Sequence, residues 1–242
     1  GAEAAPRAEE LCSRTSGSAA WRQERGELGA ALLAVLAREG PTSLTLEAGG
    51  AGGGSGAQTV AGRLLGGAAL CTWEGVACID LTTDGAAVEF AEDVDGAMQG
   101  DAYLSTDGFT VEVWVLADPA TLSLEAHRNP VVSRHGPAAG WELRLQRDGG
   151  AVFLATVEGV HHEVASGPTP DGWCGGWTHV AGTLRGTAAR LLINGRLAAE
   201  AQLPPGALTA FTGPLCLGRN PAWRDRGARC RLRAGRVSAA AL

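Results

Sequence analysis

The sequence contains no lysine: its 20 basic residues are all arginine. Beside 36 glycines and many alanines, that bias reads as GC-rich coding and not as selection for a binding mode. Against 26 acids the arginines leave a formal charge of −6, which argues against nucleic-acid binding by the chain as a whole. No apolar run reaches the ~18 residues of a membrane-spanning helix. There is no CxxC pair and no Cys/His cluster at ligand spacing, so a structural zinc site finds no support. Nucleophile-elbow, P-loop and dinucleotide-binding patterns are missing too. The chain opens on Gly1, with neither Met nor an apolar signal segment. The expectation is a mature or trimmed product whose targeting segment is absent.

What is present divides in three. The 242 residues, 45% apolar, suffice for one large sandwich or for one domain with a smaller cap. Residues 1–47 read as helical: Leu28, Leu32, Val35 and Leu36 of Glu27–Arg38 fall at helical spacing, and Gly40-Pro41 stops the run. Residues 48–57 (AGGAGGGSGA) read as a flexible linker or long loop. From about residue 80 the texture is all-β, with short apolar runs punctuated by Gly, Pro and Asp roughly every ten residues. In FTVEVWV (109–115), Phe109, Val111, Val113 and Val115 share one face, and Thr110, Glu112 and Trp114 the other. The most readable segment is 177–203. Its runs Trp177–Leu184 and Ala189–Ala199 read as strands, and Asn194-Gly195 accepts the positive φ angles of a tight hairpin turn.

Several ordered pieces carry a resemblance. They are GAAVEF (85–90), FTVEVWV (109–115), VVSR (131–134), WELRLQRDGGAVFL (141–154), WTHVAGT (177–183), LLINGRLAA (191–199), LCLGRN (215–220) and RVSAAAL (236–242). In order and spacing, residues 80–242 resemble laminin-G-like and pentraxin-like domains of the concanavalin A-like type. The resemblance implies a mainly β chain: a jelly-roll sandwich of two antiparallel sheets with loops at one rim for ligands, which mostly binds and does not catalyse. Upstream, an ALLAVL helix followed by Cys71-x-Trp-x-Gly-Val-x-Cys78 resembles the N-terminal cap of plant-type leucine-rich-repeat proteins. That likeness implies a Cys71–Cys78 bond with Trp73 packed over the helix. No leucine-rich repeat follows, and a short helix plus a disulfide loop is the plainer reading. The domains expected are thus a helical cap over 1–79 and a sandwich over 80–242.

Cys12, Cys71, Cys78, Cys174, Cys216 and Cys230 make an even set. Disulfides imply a secreted, cell-surface or lumenal address; six buried thiols are the alternative. In the laminin-G-like fold Cys216 and Cys230 should lie on neighbouring strands and pair, which leaves Cys12 and Cys174 by elimination.

Two charge features could carry a ligand. Residues 80–118 hold ten acids and no arginine, and EDVDGAMQGD supplies Glu92, Asp93, Asp95 and Asp101 as candidate calcium ligands. A solvated acidic loop is the competing reading, and calcium is the one cofactor raised. Residues 219–236 hold seven arginines against Asp225. Read as a strand, Arg229, Arg231 and Arg233 face solvent while Cys230 and Leu232 face inward. With Arg224 and Arg226 they would suit sulfates, carboxylates or an acidic protein surface. The alternative is an edge strand protected by charge.

Catalytic patterns are weak. Glu112 is the sole carboxylate of its strand, Glu89 and Glu142 look isolated, and no strand alternates carboxylates as a glycoside hydrolase requires. His161 and His162, adjacent on a strand, point to opposite faces and cannot share one metal. The expected function is non-catalytic recognition of a glycan or a partner protein. The competing classes are a structural accessory subunit of a large assembly and, further off, a glycoside-cleaving enzyme.

Overall fold

The computed structural model describes residues 43–48, 58–74, 76–90, 109–168, 173, 176–223 and 227–238. In chain order the strands are β1 (Ser43–Ala48), β2 (Gln58–Leu65), β3 (Ala69–Trp73), β4 (Val76–Asp80), β5 (Ala87–Phe90), β6 (Phe109–Ala117), β7 (Pro130–Gly136) and β8 (Ala139–Leu145). They continue as β9 (Ala151–Val157), β10 (Val160–Ala165), β11 (Thr178–Arg185), β12 (Ala188–Ile193), β13 (Arg196–Gln202), β14 (Leu215–Leu217) and β15 (Cys230–Ser238). One sheet has eight strands in the order β1-β2-β5-β14-β7-β8-β9-β10, the other seven in the order β13-β12-β11-β6-β15-β4-β3. The named pairings are antiparallel, so the expected two-sheet sandwich is present. None of the described helical pieces is long and apolar enough to cross a membrane.

Alternation builds the layers. Val111, Val113 and Val115 of β6 are buried, and Glu112 and Trp114 take the opposite face. The core closes on rings: Phe109 lies 5.6 Å from Trp141 and 5.8 Å from Phe153, centroid to centroid. Gly182 of β11 makes room for them, since a Cβ there would sit 2.3 Å from the Phe153 ring. The β12–β13 turn has Asn194 at φ 51° and Gly195 at φ 75°, the backbone a primed turn demands. Asn194 also accepts a hydrogen bond from the His179 amide at its side-chain oxygen (3.0 Å).

The N-terminal part departs from expectation. Residues 43–47, read as helical, form strand β1, which pairs with β2 from Ser43↔Arg63 to Ala48↔Gln58. The run SLTLEA alternates, and that period-two pattern suits a strand seeking a partner. The Cys71–Cys78 loop is a β-hairpin, β3–β4, at one edge of the seven-stranded sheet. Strands on both sides of residue 80 share sheets: β2 pairs with β5, and β4 with β15. The helix read over Glu27–Arg38 and the glycine-rich stretch beyond Ala48 lie outside the described residues.

Candidate recognition face

The arginine stripe falls on the outer face of the seven-stranded sheet. Cys230 and Leu232 of β15 are each 1% exposed and point into the core, so Arg231 and Arg233 point out, as alternation requires. The strand is not an edge, however: β15 lies between β6 and β4. That overturns the reading of its charges as edge protection. The stripe instead meets the side chains that register brings alongside.

Arg231 pairs across the ladder with Asp80. Its Nε and Nη2 lie 3.2 and 3.1 Å from Asp80 Oδ2, and its guanidinium sits 4.2 Å from the centre of the Trp73 ring. Arg233, opposite Trp114 in the ladder, lies between two indoles, 4.5 Å from Trp114 and 4.9 Å from Trp177. Trp114 stacks in turn on His179 (5.2 Å), whose Nε2 lies 3.2 Å from Glu112 Oε2. Arg229, half-exposed, reaches Asp84 at 2.9 Å. Guanidinium over indole is attractive because the ring face is electron-rich. The result is a polar–aromatic band from Trp73 to His179, with Trp73 the most open of the described tryptophans at 38%. Burial pushes the Asp80 carboxyl up, but hydrogen bonds from Thr82 and the nearby Arg231 outweigh it and leave the pKa below its ordinary value.

The outer face of the eight-stranded sheet carries a second constellation. Glu142 of β8 looked isolated in sequence, yet it is fully buried and densely bonded. It accepts hydrogen bonds from Ser133 Oγ at 2.7 Å, from Asn220 and from Arg144, whose Nη1 extends to Glu163 at 2.6 Å. Asn220 also contacts His135 Nδ1 (3.1 Å), and His135 stacks on Trp223 and against His161. This network seals the 218–223 segment onto the sheet. A carboxylate so fully occupied is placed to hold structure. Sequence reasoning passed over it because Ser133, Glu142 and Asn220 meet only through the β7–β8 register and the loop after β14. His161 sits on an edge strand, β10.

The pairing of Cys216 with Cys230 is corrected. Leu215 and Leu217 enter the core, so Cys216 points to the far side of the eight-stranded sheet, whereas Cys230 points inward from the other sheet. A disulfide spans at most about 7 Å between Cα atoms, and packed sheets are about 10 Å apart. Cys71, Cys78, Cys216 and Cys230 are thiols in the structure. Burial, with Asp80 nearby, pushes the Cys230 thiol up to about 12. Cys12, Cys174, Arg224, Arg226 and the candidate calcium ligands Glu92, Asp93, Asp95 and Asp101 lie outside the described residues. Among the described residues no group of three His, Cys, Asp or Glu side chains could hold a metal ion.

Two stacked antiparallel sheets with a ring-packed core define a lectin-type sandwich. A family model, Laminin_G_3, described as the concanavalin A-like lectin/glucanases superfamily, matches residues 92–242, and the chain belongs to that family. Solved structures share the fold. A botulinum neurotoxin serotype D ligand-binding domain in complex with N-acetylneuraminic acid aligns at TM-score 0.55 and 12% identity, over 84% of this chain and 48% of its own. A botulinum neurotoxin DC binding domain in complex with rat synaptotagmin II gives 0.57 and 12%, over 82% and 48%. The binding domain of Paraclostridial Mosquitocidal Protein 1 gives 0.56 and 16%, over 76% and 45%. The chain therefore spans about half the length of these structures. No curated protein matches the sequence.

Proposed function

We propose that this chain is a non-catalytic recognition module and that the outer face of its seven-stranded sheet, centred on Arg231, reads the ligand. The observation that carries this is the guanidinium–indole band Trp73–Arg231 and Trp114–Arg233–Trp177. Trp and Arg are the side chains that concentrate binding energy in interfaces. An indole also offers a flat surface for the apolar side of a sugar ring, and arginine a fork for sulfate or carboxylate. An anionic glycan uses both chemistries. The similar solved structures, bound to a sialic acid in one case and a protein in another, support a binding role. The Glu142 network supports it from the other side, because its one buried carboxylate is engaged by three donors. A secreted, cell-surface or lumenal address goes with this reading.

The test is titration of the purified chain against sulfated glycan oligosaccharides, beside the Arg229→Ala/Arg231→Ala/Arg233→Ala variant. The expected outcome is salt-dependent binding, weakened at least about tenfold by the substitutions, which is about 1.4 kcal/mol. A thermal melt confirms that the variant remains folded. Undiminished binding by a folded triple variant overturns the assignment of the face.

A further inference from the structure

We propose that Cys71 and Cys78 form a reversible dithiol–disulfide pair at the margin of the recognition face. The strands β3 and β4 pair through five consecutive positions from Ala69↔Asp80 to Trp73↔Val76, with Cys71 directly opposite Cys78. Directly opposed residues in an antiparallel ladder have Cα atoms about 4.5–5.5 Å apart and side chains on one face. A disulfide bridges Cα atoms about 4.4–6.8 Å apart, so the backbone need not move to accept one.

Accessibility is graded between them. Cys71 is half-buried on an edge strand, while Cys78 is fully buried behind it. That order suits thiol–disulfide exchange, in which an outer thiol meets the oxidant and an inner one resolves it. The oxidant is a small-molecule disulfide such as glutathione disulfide. The Cys71 thiol loses its proton and its sulfur attacks one sulfur of glutathione disulfide, giving a Cys71–glutathione mixed disulfide and one glutathione thiol. The Cys78 thiol then loses its proton and its sulfur attacks the Cys71 sulfur, releasing the second glutathione thiol. Two protein thiols are oxidised and one glutathione disulfide is reduced. Burial, and after it the neighbouring Cys78 thiol, push the Cys71 thiol up to about 12, so its thiolate is scarce at neutral pH. Exchange is accordingly slow and speeds up as pH rises.

The bridge has a local consequence. Trp73 shares the Cys71 face of β3 and lies under Arg231, so bridging fixes the strand that presents the most open indole of the band. The experiment incubates the whole chain with glutathione disulfide at pH 8, blocks free thiols, cleaves at Glu74 between the two cysteines, and maps peptides by mass. The expected result is a cross-linked Cys71–Cys78 peptide, reversed by dithiothreitol, with buried Cys216 and Cys230 still thiols. Oxidation also raises Tm by on the order of 5 °C, and Cys71→Ser abolishes that rise. A Cys71–glutathione adduct that persists with Cys78 unreacted overturns the proposal, as does recovery of both cysteines as thiols after prolonged oxidation.

Discussion

Glu142 illustrates how a side chain's meaning depends on its surroundings. Removing its carboxylate leaves Arg144, itself buried, with the half-exposed Glu163 as its one counter-charge among the described residues. Removing one partner of a buried ion pair is among the costliest single-residue changes. Glu142→Ala is therefore expected to destabilise the fold by about 3–5 kcal/mol, read as a lower urea midpoint at unchanged slope. None of this was visible in the string WELRLQ, where Glu142 reads as one polar residue in an alternating strand. Its partners Ser133 and Asn220 come from 9 and 78 positions away. Alternation assigns a face, but contacts across strands come only from register.

At the scale of elements, the β4–β15 contact joins two strands through a carboxylate–guanidinium pair set on an indole. The Asp80 carboxyl titrates below its ordinary value of 3.8 in the folded chain. A depressed folded pKa contributes stability above the unfolded value, and that contribution disappears as pH falls through the folded one. Melting temperature should thus drop on acidification from pH 6 to pH 3, and Asp80→Asn should drop less over the same interval. An equal drop in both would show that Asp80 contributes nothing to the acid limb. The alternation of β15 was legible from ARCRLR alone, because period two needs no partner. That the stripe would be central and stacked was not, since Asp80 lies 151 residues from Arg231. The turn of the β12–β13 hairpin was legible: Asn194-Gly195 encodes its own turn geometry, and local chemistry decides it.

At the scale of the molecule, the sandwich was readable from repeated short strands and their punctuation, but its extent was not. Residues 43–80 looked like something other than sandwich because a helix-forming run precedes them and a glycine-rich stretch interrupts them. In the structure they supply two strands to each sheet. A fragment starting at residue 80 would uncover β5 along its Gly62↔Phe90 to Leu65↔Ala87 ladder and remove the β4 flank of β15. Exposed strand edges invite association. Expressed alone, residues 80–242 should aggregate or lose cooperative unfolding, whereas the whole chain should melt in one transition. A monomeric, cooperatively melting fragment would show that the sandwich stands without its first strands.

The central position of β15 also bears on when this protein can fold. β6 waits for a neighbour more than a hundred residues later in the chain, and β11, its other flank, comes only some sixty residues on. During synthesis β6, one of the two longest strands of the seven-stranded sheet, therefore emerges with both sides unpartnered. Half the sandwich can close only when the ribosome has delivered nearly everything described. Such late, long-range closure makes folding slow and leaves nascent chains adhesive for seconds. The stage of this molecule's life most in need of a chaperone is the interval between the birth of Val115 and the arrival of Leu232.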